Sequence, residues 1–436
     1  MNAPPTPQPD SMPEGRSAAD RHQAALAEAV AGMIQLSDYD EIGEVLKSRK
    51  FLQGGHRIAR QTLLKDTTFM IDGEEHLSRR RILARLLDDD AVAGYRDRHL
   101  IPVVERCLAE EAAAHRGTDG MVRTDLAPLI QVCLHRVAAA LVGIDGLESA
   151  EATQRFIRQV RTITAGQTVD WSLDDKDAVL ARGHAARDEF QREFFEPSLE
   201  RRKQRIADAR ARGENVEALA TDMLSLMVAH REDTWKSDDM LLLREVNGFI
   251  TGSTQTTANG FISLALRLER WFEKHPEDRA LIDTDPEFLR RAAFESLRLT
   301  VAPPARIRTA TEDVTLSSGR TIKAGQSVAM YFVPANMDEA RFGGQADEFN
   351  PRRSVAEGVP PWGIAFGAGA HTCPGRPLVT GSRNPMGKVG VDGTLVSISR
   401  RFYGSGMELD PDRPLVRDPN THYEIYSSVP IRFRKL

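Results

Sequence analysis

Cys373 stands in the stretch FGAGAHTCPG, residues 366–375, with glycines at 367, 369 and 375 and a histidine two positions before it. Glycine lets a backbone run where side chains would collide. Such bare backbone suits a thiolate that grips a metal at the centre of a large flat cofactor. Gly367 and Gly369 permit a tight turn whose amides point at the sulfur, and Phe366 shields it from water. Gly375 lets a helix begin whose positive end favours the deprotonated form of Cys373. Taken alone, so short a motif also describes a buried cysteine in a glycine loop.

Other chemistry-bearing residues are spread along the chain. In ESLR, Glu295 and Arg298 are three apart and share a helix face, and EFNPRR later supplies Phe349, Pro351 and Arg353. In DGEEHLSRRR, Asp72 and Glu75 have the form of a capping box, and the helix they open carries His76 and Arg80 one turn apart. Arg79, Arg81 and Arg85 read as a solvated basic face. The helical stretch REVNGFITGSTQTTANGF concentrates small and hydroxylated residues around Gln255.

The spacing F-G-x-G-x-H-x-C-x-G resembles the haem-binding loop of the cytochrome P450 superfamily, soluble bacterial type, and the remaining motifs follow in that family's order. The resemblance runs from about residue 30 to the end and takes in DMLSLMV, GRTIKAGQSV and PANMDEARF. It implies a mainly α fold, one large helical domain with small β-sheets and haem b (iron protoporphyrin IX) buried between helices, Cys373 being the iron ligand. It further implies that Glu295, Arg298 and Arg353 form a buried structural charge network. His76, Arg80, Arg308 and His371 would meet the haem propionates, with Arg306 competing for the place of Arg308. Phe366, Gly367, Gly369 and Gly375 would shape the loop beneath the haem, and Gly252 would face it. Thr256 and Gln255 occupy the threonine and acid positions of the family's oxygen-side motif [AG]-G-x-[DE]-T-[TS], and so inherit catalytic roles.

Several positions depart from the family pattern. An amide at 255 orients water but does not exchange protons near neutral pH, so a relay there must run through water, Thr256 or the substrate. Ser253 replaces the second glycine. The alternative register would put Thr254 at the acid position and Gln255 at the threonine; the one adopted keeps Thr256 and Thr257. The stretch between this motif and ESLR is about one helical turn longer than the family's. After Cys373, Pro385, Gly387, Gly390 and Gly393 interrupt the expected helix. A first strand ahead of MIQLSDYDEI is expected to be missing.

The activity implied is a monooxygenase that inserts one oxygen atom from O2 into a small or medium apolar substrate. Electrons would come from NAD(P)H through a separate ferredoxin or flavodoxin with its reductase, for which Arg79, Arg81, Arg376 and Arg383 offer a basic docking patch. The alternatives are a peroxygenase or oxidative-coupling haem-thiolate enzyme, or a non-catalytic haem-thiolate sensor.

The elements that must position these residues are mostly helical up to Arg298. LIPVVERCLAEEAAAH, DLAPLIQVCLHRVAAALVG and EFFEPSLERRKQRIADARARG place apolar residues at helical spacing, and MIQLSDYDEIGEVLKS reads as a strand running into a helix. Beyond Arg298, EDVTLSSGRTIKAGQSVAMYFV and HYEIYSSVPIRF read as short strands. Residues 1–20, rich in proline and polar side chains, are expected to form a disordered tail and 21–436 a single domain. A net charge of −5 gives no reason to expect nucleic acid or an acidic membrane as the main partner, and no apolar run approaches the roughly 18 residues of a membrane span, so no membrane anchor is expected. Three cysteines without CxxC spacing argue against a disulfide framework or structural zinc and fit a reducing cytoplasm.

Overall fold

Asp238 starts the element around which the rest is arranged. Its carboxylate accepts the amides of Met240 and Leu241 at 2.9 and 3.1 Å, and the helix it caps runs from Asp239 to Lys274, just short of Pro276. The computed structural model of the protein describes residues 24, 26–301, 305–382, 390–418 and 425–436. The expected tail, residues 1–20, lies outside the described residues, as do Arg383, Pro385 and Gly387.

Helices Ile101–His115, Leu126–Val142, Ala150–Gln167, Lys176–Phe190, Glu196–Ala211 and Phe288–Leu299 build the body with the long helix. Their apolar stripes meet in a core that joins Phe261, Leu264 and Leu268 of the long helix to Ile130 and Leu134 and to Phe402 near the C-terminus. Leu126–Val142 ends where Gly143 turns left-handed at φ 85°.

Two small sheets flank the helices. The first orders strands Ile34–Leu36, Ser327–Met330, Arg306–Ala310 and Phe51–Gln53; the second orders Met407–Leu409, Pro430–Phe433 and Val122–Asp125. The strand at Ile34–Leu36 leads into helix Tyr39–Lys47, capped by Asp38, and among the described residues no strand precedes it. Arg306–Ala310, Phe51–Gln53 and Val122–Asp125 were not separable as strands by pattern, since runs of three to five residues are too short to establish a period of two.

The helix after Cys373 is broken, as the glycines there suggest. Arg376–Thr380 is followed by strand Gly381–Ser382, which pairs antiparallel with Val391–Asp392 before the helix resumes at Thr394–Gly404. The excursion closes on bare backbone: a Cβ on Gly393 would lie 2.1 Å from the Val379 carbonyl oxygen. Asp392 is held by Arg290 and Arg400, each at 2.8 Å.

Glu295 and Arg298 are buried, at 4% and 0% exposure. Arg298 grips the carboxylate through Nε and Nη2 at 2.8 and 2.7 Å, and Arg353 Nε reaches the same group at 2.8 Å. Arg298 also donates to the carbonyls of Asn336 and Ala346, while Asn336 returns a bond to the Arg298 carbonyl and accepts the Ile364 amide at 2.9 Å. The charges therefore lock the chain that leads directly into the glycine loop. Arg298→Ala leaves Glu295 buried with half its partners gone and is expected to lower unfolding free energy by about 3–5 kcal/mol in urea titrations. A loss below about 1 kcal/mol would mean that solvent reaches the triad.

Candidate functional site

The loop 366–375 winds on two left-handed glycines, Gly367 at φ 68° and Gly369 at φ 69°. The Cys373 amide donates to the Phe366 carbonyl at 2.8 Å, and the Phe366 ring meets Trp362 edge-on. Gly369 has a second reason to be bare that the sequence did not reveal: a Cβ there would fall 2.2 Å from the Leu46 carbonyl oxygen, so the loop is seated against helix Tyr39–Lys47. Burial pushes the Cys373 thiol pKa up, opposed by the amides of Gly375 and Arg376 and by Arg306 and Arg80, all of which favour the thiolate. Gly375 caps a helix of only five residues, so individual amides rather than a long helix dipole act on the sulfur.

Beside the loop lies helix Gly73–Leu83. His76, 2% exposed, stacks on His371 with ring centroids 4.1 Å apart, and Arg80 Nη2 donates to the Thr372 carbonyl at 2.7 Å. The capping box is not formed. Asp72 sits at the N-cap position, but its carboxylate meets His371 Nε2 at 2.8 Å and the Gln53 amide at 3.0 Å, while Glu75 turns to Arg79 and Lys236. Nor is Arg79 part of a solvated face or docking patch: it is 0% exposed and pairs with the buried Glu245 of the long helix at 3.0 Å. Arg81 and Arg376 are exposed, and Arg85 is exposed in a pair with Glu217.

Gln53 is the sheet partner of Arg308, which brings strand Arg306–Ala310 to the same corner. Residues two apart on a strand share a face, so both Arg306 and Arg308 turn toward it rather than one excluding the other. Burial depresses both guanidinium pKa values, that of Arg308 to about 10 with Arg306 adding repulsion and Asp72 opposing. Burial likewise lowers Arg80, opposed by Cys373. His76 falls to about 4, through burial and then the neighbouring His371 and Arg80.

On the long helix, Gly252 and Thr256 are exposed, although the residues around them on the helix are buried or half-buried, so one face of the helix is left uncovered there. A Cβ on Gly252 would meet nothing within 4 Å. Thr256 Oγ1 donates to the Gly252 carbonyl at 2.6 Å. Gln255 looks elsewhere, accepting from Gln131 Nε2 at 3.0 Å and donating to Asn259 Oδ1 at 3.3 Å.

These residues fit a haem. Arg80, Arg306 and Arg308 gather here with Asp72 acting on Arg308 and the Cys373 sulfur on Arg80 and Arg306, so guanidinium donors outnumber the carboxylates beside them, as a site for two propionates requires. No group of three or more His, Cys, Asp or Glu side chains able to hold a metal ion occurs among the described residues.

Comparison with known proteins agrees with this reading. Residues 285–380 match the family model of cytochrome P450. Nocardicin C N-oxygenase of Nocardia uniformis subsp. tsuyamanensis is 29% identical over 199 residues, 44% of each chain. Cytochrome P450-SU2 of Streptomyces griseolus is 34% identical over 157 residues, 36% of this chain and 35% of that one. The sequence alignments with these two thus span less than half of either relative. The fold matches further: substrate-free CYP109E1 from Bacillus megaterium superposes with a TM-score of 0.66 at 20% identity over 92% of this chain and 93% of that one. The chain is thus similar to cytochrome P450 proteins in sequence over residues 285–380 and shares their mainly helical fold with small sheets over most of its length, a likeness that implies a haem cofactor.

The depressed His76 pKa has a measurable consequence. An unfolded histidine titrates near about 6.5, so the unfolded chain binds a proton there more readily than the folded one. Stability of the haem-free protein should be level above that pH and fall as pH drops from there through about 4. His76→Asn is expected to flatten the decline in thermal midpoint across this window; an unchanged decline would assign it to other groups.

Proposed function

We propose that the chain is a haem-thiolate monooxygenase that inserts one oxygen atom from O2 into a small or medium apolar organic substrate. Electrons would reach it from NAD(P)H through a separate ferredoxin or flavodoxin and its reductase. The observation that carries the reading is the half-buried Cys373 sulfur under the influence of Arg80 and Arg306, in a fold that leaves Gly252 and Thr256 uncovered. The names of relatives support the chemistry, since they include an N-oxygenase and a methyl hydroxylase. Solved neighbours of the same fold were captured with testosterone and, in a mutant, with erythromycin B.

Haem b held through the Cys373 sulfur would supply a metal centre able to activate dioxygen, with electron density donated by the thiolate. Arg80, Arg306, Arg308 and His76 would hold its carboxylates, and Asp72 would fix the His371 ring. Glycine at 252 leaves room for a small ligand. Thr256, whose O–H is directed at the Gly252 carbonyl, keeps lone pairs free to accept a hydrogen bond from a water and so to pass protons toward the oxygen side. Gln255, tied to Gln131 and Asn259, would anchor that turn of helix rather than exchange protons itself. The same engaged amide favours a second reading, a peroxide-driven enzyme that needs no acid at this position. Among the described residues no helix is long and apolar enough to cross a membrane.

Substrate-dependent consumption of NAD(P)H and O2 in equal amounts, with product formed, is expected with a ferredoxin system; turnover with peroxide alone would select the second reading. Cys373→Ala is expected to abolish the thiolate-type absorption band of the reduced carbon monoxide complex, and retention of that band would remove Cys373 from the iron. Thr256→Ala should raise peroxide release per NAD(P)H severalfold, whereas unchanged coupling would take Thr256 out of the proton route.

A further inference from the structure

Arg79 and Glu245 come from elements far apart in sequence and meet where neither touches solvent, at 0% and 1% exposure. Glu245 Oε1 accepts from Arg79 Nη1 at 3.0 Å, from the Thr68 amide at 2.8 Å and from Thr68 Oγ1 at 2.6 Å. Arg79 spends its remaining reach on the Asp66 carbonyl, at 2.6 Å, and on Glu75, at 2.5 Å. The neighbouring Arg244 adds a bond from Nε to the Lys65 carbonyl at 2.8 Å. The segment 65–68 is thus strapped to the start of the long helix, and Asp66 adopts a left-handed φ of 58° to comply.

The position of this strap matters because of helical geometry. Glu245 precedes Gly252 by seven residues and Thr256 by eleven, two and three turns at about 3.6 residues each, so all three lie on one face of the long helix. Segment 62–71 therefore lies at the rim of the same face that Gly252 and Thr256 open to. On its other side Leu64 and Met70 pack against Val169 and Val179, and its end, Asp72, reaches His371 of the glycine loop. One buried ion pair joins the helix bearing His76 and Arg80, the helix bearing Thr256, and the segment that bridges them.

We propose that Glu245 and Arg79 are positioning residues: their pair holds segment 62–71 closed against the long helix and thereby governs how fast small molecules reach the Gly252–Thr256 face. The pair is chosen for placement rather than for stability, because a buried ion pair often contributes no more than apolar side chains of the same size. This inference rests on the haem reading above only for its second half, the access of molecules to iron.

Two variants and two readouts test it. Glu245→Gln keeps the shape and removes the charge; the double variant Arg79→Met with Glu245→Leu replaces the pair by apolar side chains that fill the space. Cleavage by trypsin after Lys65 in the full-length protein reads opening of the segment, and the rate of imidazole binding to the haem-loaded protein reads access. Losing charge-assisted hydrogen bonds to the segment is expected to raise its open population, and with it both rates, by about tenfold or more in each variant. The double variant should keep the wild-type melting temperature, so that faster cleavage there cannot be blamed on global unfolding. Rates within about twofold of wild type in the double variant would overturn the proposal, since the apolar pair would then close the segment equally well. Faster cleavage with an unchanged imidazole rate would overturn the control of access. Failure of the wild-type protein to take up haem would sink the functional reading instead, and cleavage alone would then decide whether the pair closes the segment.

Discussion

The carboxylate of Glu295 has no water to turn to, and the structure around it follows from that constraint. A charge this deep is tolerable only when every lone pair finds a donor, and Arg298, Arg353 and the Asn350 amide supply them. Arg298 in turn needs acceptors, which it finds in backbone carbonyls of Asn336 and Ala346; Arg353 finds them at Phe342 and Glu348. Irregular backbone between residues 336 and 353 is thereby fixed as firmly as a helix would be. Asn336 passes this order to Ile364, and the turn at Gly363 comes so near that a Cβ there would stand 2.1 Å from Asn336 Oδ1. The sulfur loop begins three residues later, its starting point already determined.

The corner proposed to hold the cofactor carboxylates obeys the opposite logic. Guanidinium groups from a helix and a strand converge with a deficit of negative charge, and the protein alone offers them little: Arg80 finds a backbone carbonyl and Arg308 the carbonyl of its own neighbour, Ile307. Asp72 offsets part of the repulsion and at the same time orients His371 and accepts the Gln53 amide. Preorganised donors of this kind cost folding energy in the empty protein and return it when a dianion arrives.

How much of this could be read from the sequence depends on how far each residue's partner lies along the chain. The sulfur loop and the pairing of Glu295 with Arg298 are local patterns, and their spacing carried them; Arg353 followed by family order. The helical body was legible from apolar periodicity, and the break after Cys373 from its glycines. Asp72 and Glu75 misled because their spacing is that of a local cap, whereas His371, 299 positions away, binds the carboxylate instead. Arg79 misled in the same way: its decisive partner, Glu245, is 166 positions off, and a row of arginines on a helix looks solvated until the neighbour is known. Arg306 and Arg308 seemed rivals only until the segment was seen as a strand, whose period of two gives both the same side. The role of Gly369 against Leu46 left no sequence signal, because a glycine required by a distant carbonyl looks like one required by a turn.

The excursion between Thr380 and Thr394 leaves the two halves of its helix in contact, with Thr394 Oγ1 bonded to the Leu378 carbonyl across the gap. A graft that enters and exits at one point is nearly invisible to the core it interrupts. Its length is free to drift, since doubling a loop already closed at its neck adds only about 0.6 kcal/mol. Insertions or deletions between Ser382 and Gly390 thus leave in place the neck that joins Gly381 to Asp392, a short way along the chain from the sulfur.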